Sequence, residues 1–585
     1  MSILLPISKI FAKSLQTLKR FLLALICSSI ATSIAIYLVQ SDTSHSSTLI
    51  KIALSSMLAA ALFVAVELSR SSISHRLYLL LIALASAMAV GYYLMLTNMV
   101  DMPNESTIFF RHIFLMVLLF LAILWAPFVR HSLNNVDYWE YAKQILFLAA
   151  MTLFFTLVII AGLNSALYAT ETLFGIDIEG RLYLQIDIFV IGIISVWYFL
   201  SQIPDNPQLC RYSNQIPSVE IFFTKWVLSP LSGIYFIILY AYTFKIVATM
   251  QWPEGVLAWL ISAFSFVAIL TYLFWTHLTV GATYRWRRWI WLAIFIQSIM
   301  LFMAIGMRVF EYSWTENRYM ICIFGLWLSG ISIYFLVSKK SQLKWIPLSL
   351  SLVILISQIG PLSAYTISQK AQSDRLEAMV SELKSFDDTD ASPTKLRYEI
   401  SDTTRYLYEH YGRASLEKLF TQIDDRFASQ DQFSYFPEYV AYELGFKFIN
   451  RWEYKQTKKS PIDSFAMFYA KKSNYNITDI REYDYMIGVQ DYHASNSIVL
   501  QDSDIELSYQ NNTLTIGAIN IDMREYIDTL KKESKSKNTE LSQKRLIIHK
   551  EIDNLVLKVQ IHHISQRDQY IDFDADIFLK IRRVD

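Results

Sequence analysis

Charged residues and cysteines are scarce in this sequence. Only 18% of its 585 residues are Asp, Glu, Lys or Arg, against about a quarter in soluble domains. Only three residues are cysteines; none of them forms a CxxC pair, and none follows Cys322, so the last part of the chain contains no disulfide. The net charge of +1 excludes the uniformly basic surface expected of a nucleic-acid-binding protein.

Catalytic and metal-binding signatures are missing as well. The sequence has no GxSxG, no HExxH and no phosphate-binding loop. Three aspartates alternate in YIDFDADIF, residues 570–578, but Ile577 and Arg583 stand where an EF-hand loop needs Gly and Glu. His562 and His563 are neighbours in a strand, so we expect them on opposite faces, unable to share an ion. We expect no catalytic residue, no metal and no cofactor.

Long apolar runs fill the first two-thirds of the chain. Each is close to the ~20 residues that a helix needs to cross ~30 Å of hydrocarbon. Buried helices of a soluble protein rarely recur so often with so few charges. The pattern predicts a membrane all-α bundle of about 11 transmembrane helices. The predicted spans are 21–39, 49–67, 77–97, 108–128, 144–165, 182–201, 222–247, 256–277, 289–308, 319–338 and 345–365.

The distribution of basic residues predicts the orientation. If the N-terminus is cytoplasmic, the cytoplasmic side holds 16 Lys and Arg residues and the other side holds six. If one span were missed or wrongly added, the later basic clusters would fall on the side opposite the cytoplasm. The distribution of basic residues therefore also favours an odd number of spans, namely eleven. An odd number of crossings delivers the C-terminal region to the side opposite the N-terminus.

The composition changes at about residue 370. Residues 1–369 hold 22 Lys and Arg against 15 Asp and Glu, a net charge of +7. Residues 370–585 hold 30 against 36, a net charge of −6. Two differently built regions therefore share one chain, and the balanced total hides the difference.

Helical and strand patterns follow one another in the second region. Polar sequence with helical periodicity comes first, and short β-branched runs with period-two alternation follow. This order predicts a soluble α+β, β-rich C-terminal domain on a helical neck. The predicted domains are a polytopic transmembrane domain at 1–369, the neck at 370–445 and the β-rich domain at 446–585. The predicted helices are 368–385, 394–411, 434–445 and 522–535, and Asn511-Asn512 is a predicted turn.

Aromatic and basic residues alternate in one cytoplasmic loop, YRWRRWIW. Such rings prefer the depth of the lipid headgroups, and guanidinium groups attract anionic lipid phosphates. We expect this segment to anchor the protein at the membrane surface, with the bilayer and its anionic phospholipids as partners. The expected anchors are Tyr284, Arg285, Trp286, Arg287, Arg288 and Trp289.

Charged residues interrupt the apolar pattern in the stretch RVFEYSWTENRY, between the ninth and tenth spans. If neighbouring spans bring other polar residues to the same level, the group lines a polar pocket that opens away from the cytoplasm. Each residue snorkelling separately to the interface is the alternative. The candidate pocket residues are Asp187, Tyr242, Lys245, Arg308, Glu311, Glu316 and Arg318. With acids nearby to pair with, Arg308 is expected to tolerate alanine less well than Arg111.

Several separated segments resemble one protein family. They are KRFLLALICSSIAT, LNSALYATETLFGIDI, WVLSPLSGIYFIILYAYTFKI with WPEG after it, AIGMRVFEYSWTENRY and GPLSAYTISQKAQSDRL. Together they are similar to the bacterial multi-spanning proteins classed as domain of unknown function 4153. The resemblance implies a bacterial inner-membrane protein of unassigned activity with a soluble C-terminal part, which the odd span count predicts to be periplasmic. It implies no active-site residues.

Three functions remain open at this point. The first is a non-catalytic protein that senses, scaffolds or assists envelope assembly, with 446–585 binding an envelope protein. The second is a secondary transporter that moves an ion or small polar solute through the outward-facing pocket. The third is a lipid-linked glycosyl or phosphoryl transferase, but such enzymes usually need an acidic motif in a sizeable first outer loop. Here that loop is short, and Asp42 is its only acid.

Overall fold

The chain divides into two compact units, residues Met1–Tyr454 and Lys455–Asp585, in a computed structural model. The predicted neck shares the first unit with the apolar helices. The structure describes residues 7–41, 47–97, 106–130, 134–207, 217–250, 256–278, 287–338, 340–386, 393–417, 420, 435–458, 465–470, 483–489, 498–499, 505–510, 512–533, 538–552, 554–567 and 570–582.

The first unit is built from helices. An amphipathic helix at the N-terminus precedes a series of apolar ones, and the more polar neck helices follow. In chain order they are α1 (Ile7–Arg20), α2 (Leu22–Gln40), α3 (Ser47–Ser69), α4 (His75–Thr97), α5 (Ser106–Trp125), α6 (Asn135–Phe174), α7 (Gly180–Gln202), α8 (Ser218–Thr249), α9 (Val256–Leu278), α10 (Arg287–Tyr312), α11 (Glu316–Val337), α12 (Trp345–Gln358), α13 (Ala364–Leu383), α14 (Thr394–Tyr411), α15 (Ala414–Glu417), α16 (Phe436–Glu443) and α17 (Arg451–Lys458).

Ten helices of the described part of the chain, α2 to α11, are long and apolar enough to cross a membrane. Each corresponds to one of ten predicted spans, although α6, with 40 residues, extends nine residues beyond the span 144–165 at each end, and the protein is a multi-pass membrane protein. Bulky aromatic residues fill the core between these helices. Trp291, for example, is fully buried and stacks on Phe335 with ring centroids 4.4 Å apart.

The eleventh predicted span forms only a short helix. At 1.5 Å per residue the 14 residues of α12 measure about 21 Å. α12 nevertheless runs antiparallel to most of α11: the Trp327 indole donates to Ser349 Oγ at 2.9 Å, and the Gln358 amide lies 3.5 Å from Met320 Sδ. α12 therefore returns the chain to the end of α11 at which Glu316 lies.

A tight turn joins α12 to the neck. Gly360 has a φ of +89°, a conformation that favours glycine, and its carbonyl accepts a hydrogen bond from the Ser363 amide. The Ser363 hydroxyl then caps α13 by accepting from the Thr366 amide at 3.3 Å. The Tyr319 hydroxyl of α11 donates to the Leu362 carbonyl and fixes this turn to the bundle.

Two of the long helices contain a turn of π-helix. In α7 the π-turn covers Val190–Ser195, and in α8 it covers Phe223–Leu228. In each case a serine hydroxyl donates to the carbonyl five residues earlier, from Ser195 to Val190 at 2.8 Å and from Ser229 to Thr224 at 2.6 Å. Each hydroxyl adds a side-chain hydrogen bond to a carbonyl of the wider turn; the Thr224 carbonyl also accepts from the Ser229 amide.

The neck consists of α13, α14 and α16 around an apolar core of its own. Leu376, Leu383, Leu407 and Tyr439 are buried in this core, and Tyr319 of α11 packs into it. The predicted helix at 394–411 is confirmed with the same bounds. The helices predicted at 368–385 and 434–445 are present as α13 and α16 with shifted ends.

The second unit is β-rich, as predicted, and has a separate hydrophobic core. Its described elements are β1 (Phe465–Ala470), β2 (Tyr485–Val489), β3 (Ile498–Val499), β4 (Glu506–Gln510), β5 (Thr513–Ile516), β6 (Ile519–Asp522), α18 (Met523–Glu533), β7 (Asn538–Leu541), β8 (Ile547–Ile552), β9 (Leu555–Arg567) and β10 (Tyr570–Ile581). One sheet has the order β2-β10-β9-β1-β7, with β8 also paired to β9; the other has the order β3-β4-β5-β6. All pairings are antiparallel except that of β1 with β7.

A turn and a β-bulge are the two local features of this unit that bear on the sequence predictions. Asn512 has a φ of +64° in the turn from β4 to β5, as the predicted turn requires; Asn511 lies outside the described residues. A β-bulge interrupts the pairing of β9 with β10, where Asp574 faces His563 and Ala575 faces Ile561. His562 is the extra residue of this bulge.

Candidate functional site

The turn between α10 and α11 is held by side chains from two helices. Ser313 has a φ of +61°. The backbone carbonyls of this turn accept hydrogen bonds from side chains of α11 and α13. Arg318 of α11 donates to the Tyr312 carbonyl at 3.0 Å and to the Ser313 carbonyl at 2.7 Å. Gln372 of α13 donates to the carbonyls of Tyr312 and Trp314 at 3.0 and 2.8 Å. The turn RVFEYSWTENRY is thus a docking point for the neck.

Glu316, at the start of α11, binds the second neck helix. Its two carboxylate oxygens accept hydrogen bonds from the hydroxyls of Tyr406 and Tyr411 on α14. His410 Nδ1 lies 3.7 Å from the same carboxylate, whose side chain is 15% exposed. Burial, followed by the charge of Glu316, raises the pKa of Tyr406 and Tyr411 above the usual value, so both hydroxyls stay protonated and able to donate.

Arg111 of α5 meets the first neck helix. Only 3% of this residue is exposed, and its guanidinium lies over the Tyr365 ring, 3.8 Å from the centroid. Burial raises the pKa of Tyr365, and Arg111 opposes that shift. Beside Arg111, His112 is also buried, with Nδ1 3.1 Å from the Tyr92 hydroxyl of α4.

These contacts form one joint between the apolar bundle and the neck. We call it the neck clamp and define it by Arg111, Glu316, Arg318, Tyr365, Tyr406 and Tyr411. A buried charge that loses its partners costs several kcal/mol, so the neck cannot lift from the bundle without exposing or orphaning these groups. Each clamp group contacts another side chain or a backbone carbonyl of the protein, so the clamp joins the neck to the bundle.

The predicted polar-pocket residues fall into separate groups: Arg308 and Glu311 lie near the α10–α11 turn, with Arg308 within electrostatic range of Arg318, while those of α7 and α8 lie elsewhere. Asp187 of α7 accepts from the Asn164 amide of α6 at 3.1 Å. Lys245 of α8 is exposed, and Tyr242 packs partly buried against the bundle core. Glu316 and Arg318 belong to the neck clamp.

The register between α8 and α10 separates Lys245 from Arg308. The Tyr240 hydroxyl donates to the Ala293 carbonyl at 2.9 Å, and Thr243 lies beside Gln297. Lys245 is therefore level with about residue 299, and Arg308 lies about 13 Å further along the axis at 1.5 Å per residue. The sequence pattern alone does not reveal this offset.

Burial reverses the expected ranking of two arginines. Arg308 is half-buried and Glu311 is exposed, whereas Arg111 is almost completely buried in the neck clamp. We now expect alanine at Arg111 to be the more harmful change. The sequence contained a sign of this role for Arg111: two ionisable residues, Arg111 and His112, stand side by side inside an apolar run. Ionisable residues within a span usually have a specific partner.

The predicted interface anchors are only partly within the described residues. Tyr284, Arg285 and Trp286 lie outside them, and so does the side chain of Arg287, the first residue of α10. Arg288 is exposed, and Trp289 is 70% exposed.

Both histidines of β9 meet the acidic face of β10, where His563 pairs with Asp574 and His562 contacts Asp576. The bulge leaves both His562 and His563 half-buried while Ile561 and Ile564 are buried, so the two histidines do not alternate between faces as expected. His562 Nε2 lies 2.9 Å from the Asp576 carboxylate. Among the described residues, no group of three His, Cys, Asp or Glu is placed to hold a metal ion.

Comparison with known proteins identifies a family through its sequence model, without a match to an individual protein. No curated protein and no solved structure matches this chain. The family model of the domain of unknown function DUF4153 matches residues 50–385, more than half of the chain. The match runs from α3 to the end of α13, so it includes Arg111, Glu316 and Tyr365 but neither α14 nor the β-rich unit. The chain therefore belongs to the DUF4153 family.

Proposed function

We propose that this protein is a non-catalytic membrane anchor that holds its β-rich unit outside the bilayer, on the side opposite its N-terminus, where that unit binds an envelope protein. In this proposal the helices anchor the protein in the membrane, and the β-rich unit recognises the envelope protein. In this account the protein acts in sensing, scaffolding or assembly at the envelope.

The neck clamp is the observation that carries the proposal. A neck attached only by a linker would need no buried Arg111, no tyrosine pair on Glu316 and no side-chain caps on a turn. Such groups are costly to bury and are retained where they fix one arrangement. Their presence supports a rigid base for whatever follows the neck.

The path of α12 supports the placement of the neck. The chain enters α12 beside the C-terminal end of α11, where Trp345 lies against Tyr334, and leaves it beside Met320, near the N-terminal end of α11. The eleventh passage is thus completed by a short helix and a turn rather than by a full span. The bias of 16 against six basic residues supports a cytoplasmic N-terminus and hence an external neck.

The composition of the second unit fits an extracytoplasmic binding module. It contains no cysteine, its two sheets enclose an apolar core with Leu507, Val559 and Phe573 buried, and its folding needs no disulfide. The described residues hold no metal-binding group, and the sequence has no catalytic motif.

A complementation experiment tests the proposal. In a strain with a scored deletion phenotype, residues 1–454 are compared with the full chain and with a full chain carrying Glu316→Ala. We expect residues 1–454 to insert at normal levels and fail to complement, because the recognition unit is missing. We expect Glu316→Ala to complement weakly at equal abundance, because the neck is loosened. Full complementation by residues 1–454 would assign the function to the helices, as a transporter requires, and would refute the proposal.

A further inference from the structure

Two adjoining cavities flank Arg20 at the end of the bundle where α1 meets α2. One of about 210 Å³ lies between α1 and the segment that follows α7, and its lining includes Lys13, Arg20 and Asp205. The other, of about 120 Å³, lies between the start of α2 and helices α3 and α4, and Lys19, Arg20 and Arg70 line it. Arg20 and Phe21 line both cavities, so the two adjoin at these residues and we treat them together as one site.

The walls of this site carry an excess of positive charge. Lys13, Lys19, Arg20 and Arg70 face only two carboxylates there, Asp205 and Glu67, which leaves a formal charge of +2. Burial lowers the pKa of Arg20, and Asp205 and Glu67 oppose that shift. The geometry thus brings one partly buried cation, Arg20, together with three more exposed ones, Lys13, Lys19 and Arg70, and an anion would bind favourably among them.

Arg20 is held in place by the protein, which leaves the other cations for a ligand. Its guanidinium donates to the carbonyls of Ile203 and Pro204 at 3.2 and 3.0 Å and to Asp205 at 3.2 Å. Arg70 contacts Glu67 at 3.3 Å but remains mostly exposed, and Lys19 is exposed. Arg20 therefore forms a fixed base, and Lys19 and Arg70 can close over a bound group.

The site opens onto an apolar helix face. Leu22 and Leu23 line the smaller cavity, and they begin the first membrane span. Leu22, Leu23 and Ile26 are all more than two-fifths exposed and lie within about one helical turn of one another. A ligand with an anionic head at Arg20 would have its apolar part against these side chains, at the depth where headgroups meet hydrocarbon.

We propose that Lys19, Arg20 and Arg70 bind the phosphate of one anionic phospholipid, with its acyl chains along Leu22, Leu23 and Ile26. A free phosphate could use the same cations, but it would leave the apolar face unused. The site differs from the surface anchors expected at 284–289, because it is a cavity shared by α1, α2, α3 and α4. It also does not depend on the function proposed for the β-rich unit.

Native mass spectrometry of the full-length protein tests the site. The protein is reconstituted in nanodiscs of phosphatidylcholine with one-fifth phosphatidylglycerol, released into detergent, and scored for retained phosphatidylglycerol. The test variant is Lys19→Gln with Arg70→Gln, which spares the fixed Arg20. The matched control is Lys245→Gln with Arg308→Gln, which removes the same charge elsewhere.

We expect the wild type and the control to retain one phosphatidylglycerol, and the test variant to retain at least fivefold less. Lys19→Gln alone should give an intermediate loss of retained phosphatidylglycerol. Because Lys19 is exposed, this single variant should fold normally, so its result holds even if the double variant misfolds. Equal retention by test and control variants would overturn the site. In a second arm, 50 mM inorganic phosphate is added during release. Displacement of the lipid by phosphate at that concentration would show a free-anion site and overturn the lipid assignment; persistence of the lipid supports it.

Discussion

Replacing Arg111 with alanine should loosen the neck, and the structure sets the size of the effect. The guanidinium lies 3.8 Å from the centre of the Tyr365 ring in a site that is almost fully buried. A desolvated cation–π contact is worth about 2 kcal/mol. Loss of the buried aliphatic stem adds about 1–2 kcal/mol. We therefore expect a cost of about 3 kcal/mol in the free energy of opening the clamp.

Arg308→Ala is the matched control. Arg308 is only half-buried, and an exposed or partly exposed charge contributes about 0–1 kcal/mol. Both variants lose one arginine from the same region of the bundle. Arg308 repels Arg318 of the clamp rather than binding a clamp residue, so its loss should not weaken the clamp, and the difference between the variants reports the buried contact of Arg111.

Hydrogen exchange of the full-length protein in nanodiscs measures this difference. The amides of α14, residues 394–411, exchange when the neck opens, so a loss of about 3 kcal/mol should speed their exchange about 100-fold in Arg111→Ala. Arg308→Ala should speed it less than fivefold. Equal acceleration in the two variants would refute the reasoning that the buried arginine fixes the neck.

Three further outcomes follow from particular contacts. Because burial raises the pKa of Tyr406 and Tyr411, the unfolded chain releases their protons first above about pH 10, and stability should fall there by about 1.4 kcal/mol per pH unit for each tyrosine. The double phenylalanine variant, less stable at neutral pH, should lose stability less steeply in alkaline denaturation; parallel curves would contradict this. Calcium or a chelator should leave the melting temperature within about 1 °C, and a larger shift would reveal a metal site on 570–581. Asp187→Leu should cost about 0.5–2 kcal/mol by leaving the Asn164 amide unpaired, and no loss of melting temperature would show that this pair is dispensable.

Periodic patterns predicted most of the fold. Ten apolar spans, the helix at 394–411 and the β-rich end follow from hydrophobic period and composition, because burial in lipid or in a core constrains every residue of such elements. The eleventh span was predicted too long. α12 ends at Gln358, and the residues that follow enter a turn at Gly360. A window of hydropathy cannot distinguish that turn from a continued helix.

The candidate site was predicted only in part. The turn RVFEYSWTENRY was recognised as unusual, and Glu316 and Arg318 belong to the clamp. Their partners are distant in sequence: Tyr406 lies 90 residues from Glu316, and no local spacing predicts such a pair. The offset between Lys245 and Arg308 along the bundle axis depends on the register of α8 and α10, and the hydrophobic pattern of the sequence does not determine that register. The β-bulge at His562 likewise depends on pairing, not on the alternation of its own strand.

Labelling by a membrane-impermeant maleimide tests the central claim most directly, namely that the neck and the N-terminus lie on opposite sides of the membrane. Cys27, Cys210 and Cys322 are first replaced by serine, and single cysteines are introduced at the exposed positions Ser381 of α13 and Ser74 between α3 and α4. In intact spheroplasts of a bacterial host, Ser381→Cys should be labelled and Ser74→Cys should be labelled only after lysis. Labelling of Ser74→Cys but not of Ser381→Cys in intact spheroplasts, or equal labelling of both, would contradict the account.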